Sequence, residues 1–289
     1  MVQLLRFRRH QRHTGIPSAE RLIRALVNGK PGDQISLLDR GVQFGDGLFE
    51  TIAVANHKPC LWNYHVQRLQ SGCERLGIAA PDAQVLEQEA LDLIAQQQRA
   101  VLKITVTRGI SERGYKYASS EAPTRILSLF PWNSPCSETL SIAVSDRRLG
   151  HYPDLAGIKH LNRLEQVLAR ADCPETVQEA LMLDQQGHVI EGIMSNLFIQ
   201  RGQKLFTPSL RYCGVEGVVK RLILEMAKER SMAIETGDFS LEEILRADAL
   251  YLTNSLTGIR FVSGIAGYDW QPGTGFHSLL EEATEQVFH

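Results

Sequence analysis

The chain has 289 residues, of which 43% are hydrophobic and 22% charged, and its formal net charge at pH 7 is −2. This length and composition indicate a globular protein with one large domain or two medium-sized domains. The small net charge gives no bulk field for nucleic acid or an anionic membrane, so neither is expected as a partner. No stretch approaches the roughly 18 uninterrupted apolar residues of a membrane-spanning helix.

The five cysteines predict a reducing environment. They are odd in number and scattered, and they include no C-x-x-C pair. This spacing argues against a disulfide framework or a structural zinc site, and reduced cysteines are typical of the cytoplasm. We therefore expect a cytoplasmic protein whose chemistry needs no metal. The cysteines are Cys60, Cys73, Cys136, Cys173 and Cys213.

The first 26 residues are strongly basic, and the first acid is Glu20. No apolar segment of a secretory signal follows the basic start. Two interpretations remain open, a basic extension with a binding role and a weakly ordered or wrongly assigned start. The second is favoured, because termini are commonly disordered unless they are tied down. The arginines are Arg6, Arg8, Arg9, Arg12, Arg21 and Arg24.

Predicted elements begin at residue 25, where a strand runs into a turn at Asn28 and Gly29. Further on, Asn63 is expected to cap a helix that Gly77 ends, with apolar side chains at three- and four-residue spacing between them. In chain order, the first region contains a strand at 25–31, a hairpin at 50–62, helices at 63–77 and 85–98, and strands at 101–107 and 124–129.

A connector is expected at residues 146–154, which include Gly150 and Pro153. The second region is predicted to contain helices directly after Lys159, at 218–230 and at 278–287, and strands at 180–184, 189–191, 196–199 and 249–253. Runs of adjacent strands with helices between them predict an α+β fold rather than alternating βαβ units. The predicted division is a basic extension at 1–26, a smaller α+β domain at 27–145, the connector at 146–154 and a larger α+β domain at 155–289.

Lys159 is the residue with the most chemical content. Two small or apolar residues precede it, and an ammonium held against such a wall loses hydration, which favours the neutral, nucleophilic amine. After it, His160, Asn162 and Arg163 are expected to crowd polar groups into one turn. The alternative for a lone lysine is a solvated surface charge.

Glu191 lies 32 positions after Lys159, at the end of an apolar strand and before Gly192. By itself it could equally be a carboxylate at a strand edge. A lysine that forms a Schiff base and an acid that keeps a pyridine nitrogen protonated are the two groups that pyridoxal phosphate (PLP) chemistry requires. The pair therefore predicts a PLP enzyme.

A glycine-containing segment at 214–221 runs into the helix predicted at 218–230. Backbone N–H groups at such a junction can point at an anion, and the helix dipole adds to the attraction. Thr253, Asn254 and Ser255 end a strand and could give a hydroxyl and amides to the same phosphate. Glycine before a helix is common, so this assignment depends on the PLP interpretation.

Two more glycine-containing segments belong to the first region. Arg108 and Arg113, in a loop that follows a strand, suit recognition of a substrate carboxylate, with a solvated basic loop as the alternative. The segment 43–51 can bring its backbone close to a ligand, although its periodicity does not identify that ligand.

Taken together, these stretches resemble the fold-type IV PLP enzymes, the class that includes branched-chain and D-amino acid aminotransferases and aminodeoxychorismate lyase. The resemblance extends from about Val27 to the C-terminus. Within the class, the segment 157–166 and the loop 108–115 are most similar to the lyase. The pieces shared across the class are residues 43–47, 65–69, Lys159, Glu191 with 195–198, and 217–219.

The resemblance implies a role for each candidate residue. Lys159 would carry the cofactor and then act as acid and base, and Thr51 would assist proton delivery. Glu191 would pair with the pyridine nitrogen. The residues implied to hold the phosphate are Arg68, Val218, Val219, Asn254 and Ser255. The residues implied to bind the substrate carboxylate are Arg113 and Tyr115, with Arg108 nearby.

The resemblance also implies a two-domain, fold-type IV α+β homodimer that binds PLP on its larger domain. The implied reaction eliminates pyruvate from 4-amino-4-deoxychorismate and leaves 4-aminobenzoate for folate synthesis. The alternative is a D-amino acid or branched-chain aminotransferase. Some aminotransferases have a tyrosine where this chain has Leu164, which argues against that branch. A more remote alternative is a non-enzymatic binder that uses the basic N-terminus, for which the family pattern has no counterpart.

Overall fold

The computed structural model describes residues 22–117, 122–132, 139–265, 267–271 and 276–288. Most of the expected basic extension, and Cys136, lie outside these residues. The chain forms two compact units. The first unit contains the described residues up to 132 together with Ile158–Asn162 and the end of the last helix, and the second contains most of the remainder.

The first unit is built on an antiparallel sheet of six described strands in the order β2-β1-β6-β5-β3-β4. The strands are β1 (Arg24–Val27), β2 (Lys30–Pro31), β3 (Gly47–Ala55), β4 (Lys58–Pro59), β5 (Arg99–Thr107) and β6 (Thr124–Phe130). The helices are α1 (Arg40–Phe44), α2 (Trp62–Leu76) and α3 (Ala83–Ile94).

One face of this sheet is buried and carries the core of the first unit. Helix α2 packs against β3, and α3 packs against β1, β5 and β6. Because side chains alternate between the faces of a strand, each strand contributes every second residue to this core. The buried residues include Leu48, Ile52, Leu102, Ile104 and Leu127.

The ends of α2 bear out one predicted cap and correct the other. Gly77 adopts a left-handed φ of 62°, and its N–H donates to the carbonyls of Cys73 and Glu74. Asn63 is not the N-cap, because the helix already begins at Trp62. Between β4 and α2 the backbone turns sharply at Leu61, which has a φ of 49°. The helix therefore begins earlier in the sequence than predicted.

The second unit contains the other described strands and four helices. The strands are β7 (Thr139–Leu149), β8 (Glu179–Asp184), β9 (Val189–Gly192), β10 (Asn196–Arg201), β11 (Lys204–Pro208), β12 (Ile234–Gly237), β13 (Ala249–Asn254), β14 (Gly258–Ile265) and β15 (Tyr268–Asp269). The helices are α4 (Leu164–Asp172), α5 (Val218–Glu229), α6 (Leu241–Leu245) and α7 (His277–Phe288).

These strands form a mixed sheet in the order β12-β11-β10-β13-β14-β7-β8-β9, with β15 paired to β14. Parallel pairs occur where β7 meets β8 and β14, and where β11 meets β12. Strand β9 also contacts β10 and β11, so the sheet curls back on itself. Both units combine sheets with packed helices, which confirms the α+β prediction.

The expected connector at 146–154 begins inside a strand, because β7 runs to Leu149. Its register against β8 shifts between Val144 and Arg148. A bulge of this kind breaks the alternation of apolar and polar residues. Residues 146–148 are exposed and charged, so in the sequence this part of the strand has the composition of a loop.

Strand β1 begins at Arg24, which pairs with Leu129 of β6, so ordered structure starts before the boundary expected at residue 27. Among the described residues, no helix is both long and apolar enough to span a membrane.

Candidate active site

Lys159 lies in an extended segment of the first unit, Ile158–Asn162, which we call the lysine segment. The carbonyl of Lys159 accepts a hydrogen bond from the N–H of Phe49 at 3.0 Å, and the N–H of Leu161 donates to Gly47 at 2.9 Å. The backbone therefore pairs with β3, and α4 begins only at Leu164. The expected polar turn directly after Lys159 is not formed.

Gly47 lies between β5 and the lysine segment. A Cβ at residue 47 would lie 2.4 Å from the carbonyl oxygen of Val106 and 2.9 Å from a methyl carbon of Leu161. The first contact is with the backbone of β5, which cannot give way, so the pairing of β3 with β5 needs glycine at this position.

The side chain of Lys159 lies on the face of β3 that carries Phe49 and Thr51. Its ammonium nitrogen is 4.4 Å from the centre of the Phe49 ring. Because residues two apart in a strand share a face, Thr51 lies on the same side of the sheet. The two residues predicted to move protons thus share one face of the first unit.

A buried charge network occupies the opposite face of β3. Glu50 and His65 are each 1% exposed. The Nε of Arg68 donates to Glu50 at 2.9 Å, its Nη2 also contacts that carboxylate, and His65 Nδ1 lies 2.6 Å from Glu50 Oε2. Burial alone would raise the pKa of Glu50, but Arg68 and His65 outweigh it and hold the pKa at about 2. Burial lowers the pKa of His65, despite its bond to Glu50.

This network fixes the predicted phosphate ligand Arg68 by two of its three nitrogens. Neither Glu50 nor His65 had an assigned role in the sequence, although His65 belongs to a segment shared with the family. A buried histidine and a buried glutamate beside a functional arginine would have been the signal. The sequence does not show it, because the three residues come together only when α2 packs against β3.

Arg108 has a structural environment that differs from the carboxylate-binding role expected of it. It is 7% exposed, and its Nε and Nη2 donate to the two oxygens of Asp46 at 2.8 and 3.0 Å. Its remaining bonds go to the carbonyls of Leu76 and Gly77, both at 2.8 Å. Four of its five N–H groups are thus used to join the end of α2 to Asp46.

Arg40 holds the loop that follows Arg108, and no sequence signal pointed to it. Its Nε donates to Asp46 at 2.8 Å, and its other nitrogens donate to the carbonyls of Gly114 and Tyr115 at 2.9 and 3.1 Å. Burial raises the pKa of Asp46, but Arg108 and Arg40 outweigh it and lower that pKa. Asp46 is therefore an anion shared by two buried arginines.

The side chains of the loop point outward from this base. Arg113 is exposed, and Tyr115 is 85% exposed with its ring 5.3 Å from that of Phe44. These two predicted substrate residues are therefore accessible, unlike Arg108.

Glu191 lies in the second unit, at a corner where β9 turns into β10. It is 4% exposed, and its Oε2 accepts from the N–H of Val215 at 2.9 Å and from Asn196 Nδ2 at 3.4 Å. Asn196 also donates to the carbonyl of Val215 at 2.8 Å and accepts from the N–H of Gly217 at 2.9 Å. Asn196, which sequence reasoning left without a role, thus links the carboxylate to the start of α5.

The N-terminus of α5 has the features of an anion site. Gly217 is its N-cap and carries no capping side chain, and the first turn contains no acidic residue. A Cβ at residue 217 would lie 2.0 Å from Asn196 Oδ1, so no other residue fits. The N–H groups of the buried Val218 and Val219 belong to this first turn.

The end of β13 adds polar groups beside this helix. Thr253 is paired across the sheet with Asn196, and its buried hydroxyl has no hydrogen-bond partner among the described residues. Asn254 Oδ1 accepts from the N–H groups of Leu256 and Thr257 at 2.9 and 2.8 Å. Asn254 therefore shapes the turn that presents Ser255. A buried carboxylate, an uncapped helix and an unpaired hydroxyl together fit the pyridine nitrogen and phosphate of PLP.

The chain that leads to Lys159 is anchored next to Glu191. Gly157 donates to the carbonyl of Gly214 at 2.9 Å and accepts from the N–H of Glu216 at 2.9 Å. These two residues flank Val215, which holds the Glu191 carboxylate. Gly157, which belongs to the second unit, is therefore held beside the residue that binds the Glu191 carboxylate.

The family model for amino-transferase class IV matches residues 47–265. The chain belongs to this family. It is 37% identical to the aminodeoxychorismate lyase of Vibrio harveyi, over 83% of this chain and 90% of that protein. The 4-amino-4-deoxychorismate lyase from Pseudomonas aeruginosa has a crystal structure that matches with a TM-score of 0.85 and 38% identity, over 92% of this chain and 100% of that chain. The D-alanine aminotransferase of Bacillus licheniformis is 26% identical, over 85% of this chain and 89% of that protein.

Membership of amino-transferase class IV confirms the predicted fold-type IV architecture and the prediction of an enzyme. Enzymes of this family depend on PLP.

The Glu50 network predicts a pH-dependent contribution to stability. Because the pKa of Glu50 is lowered from 4.5 to about 2, its stabilisation is complete above about pH 4.5 and is lost as the pH falls towards 2. At neutral pH, we expect Glu50→Gln to lower the free energy of unfolding by about 3 kcal/mol, because it leaves Arg68 without its buried partner. Urea unfolding from pH 7 to pH 3 should show this difference shrinking at acid pH.

Glu242→Gln is the matched control for this experiment. Glu242 on α6 pairs with Arg246, the C-cap of that helix, and both side chains are 74% exposed. An exposed pair contributes little, so we expect a change below about 1 kcal/mol at every pH. A loss in Glu50→Gln that stayed constant down to pH 3 would contradict the assignment.

Proposed function

We propose that the chain is an aminodeoxychorismate lyase, which converts 4-amino-4-deoxychorismate to 4-aminobenzoate and pyruvate for folate synthesis. The observation that carries the proposal is the presence of Lys159 and Glu191 in a chain 37% identical to a protein of that name. The corresponding identity to a D-alanine aminotransferase is 26%.

In this proposal, Lys159 would carry PLP, and Glu191 would pair with its pyridine nitrogen. The residues that would hold the phosphate are Arg68, Val218, Val219, Asn254 and Ser255. When bound, PLP withdraws electrons from the carbon that carries the substrate nitrogen. The contacts that support these roles are the Glu50–Arg68 pair, the uncapped start of α5 and the bonds of Glu191 to Val215 and Asn196.

Lys159 moves the protons of the reaction. Its amine would remove the proton from the ring carbon that bears nitrogen, and Thr51, on the same face of β3, would assist the transfer. The ring carbon–oxygen bond then breaks, and the ring becomes aromatic. The enolpyruvate that leaves takes up a proton and becomes pyruvate, so the reaction needs no second substrate.

Substrate recognition is assigned to the exposed side chains of the loop. Arg113 and Tyr115 would bind a substrate carboxylate, because both are accessible and a guanidinium matches a carboxylate with two parallel hydrogen bonds. Arg108 is left out of this set because its donors are already used by Asp46 and two carbonyls.

The second candidate is an aminotransferase of the same family, which the 26% identity to a D-alanine aminotransferase favours. It would use the same lysine and glutamate but would need a keto acid to complete each cycle. Leu164 argues against it, because some aminotransferases have a tyrosine at that position.

Supplying 4-amino-4-deoxychorismate to the PLP-loaded protein without any keto acid separates the two candidates. We expect continuous formation of 4-aminobenzoate and pyruvate in equal amounts, measured by fluorescence and by a coupled pyruvate assay. Lys159→Ala is the control, and it should lose both the product and the absorption band of the bound cofactor. Turnover that stops after one equivalent and restarts only with a keto acid would identify an aminotransferase.

Replacing either of the two arginines of the loop should have a different effect, on KM for Arg113 and on stability for Arg108. Arg113→Gln removes an exposed cation, so we expect KM for 4-amino-4-deoxychorismate to rise by roughly tenfold or more while the midpoint of thermal unfolding stays unchanged. Arg108→Gln breaks a buried pair, so we expect a stability loss of about 3 kcal/mol. Steady-state kinetics and thermal unfolding of both variants check this. A KM effect confined to Arg108→Gln would reverse the two assignments.

We also propose that the protein is a cytoplasmic homodimer. Support for a dimer comes from α4, whose Leu164, Val167 and Leu168 are 74%, 58% and 46% exposed. Residues spaced by three and four share one side of a helix, so these form an apolar stripe open to solvent, a feature typical of protein interfaces. Support for the cytoplasm comes from the cysteines, because the four described ones are free thiols.

Val167→Asp tests the dimer by placing a charge in the middle of this stripe. We expect the particle mass from light scattering to fall to about half that of the wild type, because an unpaired charge buried in an interface is costly. Val85→Asp is the matched control, since Val85 is 45% exposed on α3 and lies in the other unit. An unchanged mass for Val167→Asp, or an equal loss in the control, would contradict this interface.

A further inference from the structure

We propose that Glu179 is a positioning residue for the cofactor: its buried carboxylate holds the turn that joins Glu191 to Asn196. This inference rests on the proposed function, because it assigns Glu179 to the PLP site. Glu179 begins β8 and is 4% exposed. It does not touch the groups assigned to the cofactor and acts through the backbone between them.

Both oxygens of Glu179 are used to hold this turn. Oε1 accepts from the N–H of Ile193 at 2.8 Å and from its neighbour Ala180 at 3.1 Å. Oε2 accepts from the N–H of Met194 at 3.2 Å and from the hydroxyl of Ser195 at 2.9 Å. One side chain thus binds three consecutive residues of the turn.

The turn is also closed sterically. Gly192 donates to the carbonyl of Ser195 at 2.7 Å. A Cβ at residue 192 would lie 2.3 Å from Ser195 Oγ and 3.1 Å from the carboxyl carbon of Glu179. The glycine and the carboxylate therefore fit together, and a shift of either one displaces the other.

The residues on each side of the turn hold the two ends of the proposed cofactor site. Glu191 immediately precedes it and faces the pyridine nitrogen in the proposal. Asn196 immediately follows it and fixes Val215 and Gly217, the residues that lead into α5. A looser turn would move the carboxylate and the helix N-terminus relative to each other, and PLP needs both at a fixed separation.

Burial raises the pKa of Glu179, and its four hydrogen bonds oppose that effect. Placing a carboxylate here costs desolvation energy that an apolar contact would not. The four donors compensate this cost by hydrogen bonding to the carboxylate, and the same hydrogen bonds define the geometry of the turn.

Glu179→Gln is the central test. The amide replaces one acceptor oxygen by an NH₂ group, which would face N–H or O–H donors and repel them. We expect the dissociation constant of PLP, measured by absorbance titration of the apoprotein, to rise by roughly tenfold or more, the size of loss seen for metal sites when residues that orient the metal ligands are removed. We also expect faster hydrogen exchange at the Ile193 amide.

Asp184→Asn is the matched control. Asp184 is the last residue of the same strand, and its buried carboxylate accepts hydrogen bonds from the backbone of a different turn. Its Oδ1 accepts from the N–H groups of Gln186 and His188 at 2.9 and 2.8 Å, and it is 2% exposed. That turn joins β8 to β9 and carries no residue assigned to the cofactor. We expect Asp184→Asn to lower the melting temperature while the affinity for PLP stays unchanged.

Ser195→Ala keeps the proposal testable if Glu179→Gln does not fold. It removes one donor to Glu179 and leaves the carboxylate, so we expect a smaller loss of PLP affinity, roughly threefold to tenfold. PLP affinity equal to wild type in folded Glu179→Gln, or in Ser195→Ala if the first variant is unfolded, would overturn the inference. An equal loss of affinity in Asp184→Asn would also overturn it. Wild-type apoprotein that binds no PLP would instead overturn the proposed function.

Discussion

A carboxylate removed from water must be satisfied by donors, and this requirement organises both units of the chain. Asp46 and Glu50 are satisfied by arginines, and Glu179 and Glu191 mainly by backbone N–H groups and short polar side chains. Each acid therefore fixes the segment that supplies its donors. The segments fixed in this way are the loop after β5, the start of α2, the corner between β9 and β10, and the residues before α5.

The two kinds of donor have different mechanical effects. An arginine reaches across several residues and joins elements that are far apart in the chain, as Arg40 does to Gly114, 74 positions away. A backbone N–H is rigidly attached to its own residue, so a carboxylate that accepts from it sets the local course of the chain. The first unit uses arginine donors to hold a loop with exposed side chains. The second unit uses backbone N–H donors, which set the positions of neighbouring atoms and do not join distant elements.

The residues proposed to carry the chemistry could be predicted from the sequence. Most of the residues that hold them in place could not. Lys159 and Glu191 are residue types that PLP chemistry demands, and their neighbours resemble known family segments. Arg40 and Glu179 lie outside those segments, and His65 and Asn196 lie inside them without an assigned role. The roles of all four depend on partners that only the folded chain brings close. Arg108 was assigned to substrate for the same reason: an arginine in a glycine-rich loop has one pattern whether it binds a ligand or a buried aspartate. Strand β7 was not predicted at any of its residues, and at 146–148 its bulge leaves three charged residues in a row, which have the composition of a loop.

Arg40 holds the loop through its backbone and not through its side chains. It binds the carbonyls of Gly114 and Tyr115, groups that every amino acid possesses. The path of the loop is thus independent of which side chains it displays at positions 113 and 115. The side chains at these two positions can therefore be exchanged without loss of the hydrogen bonds that hold the loop.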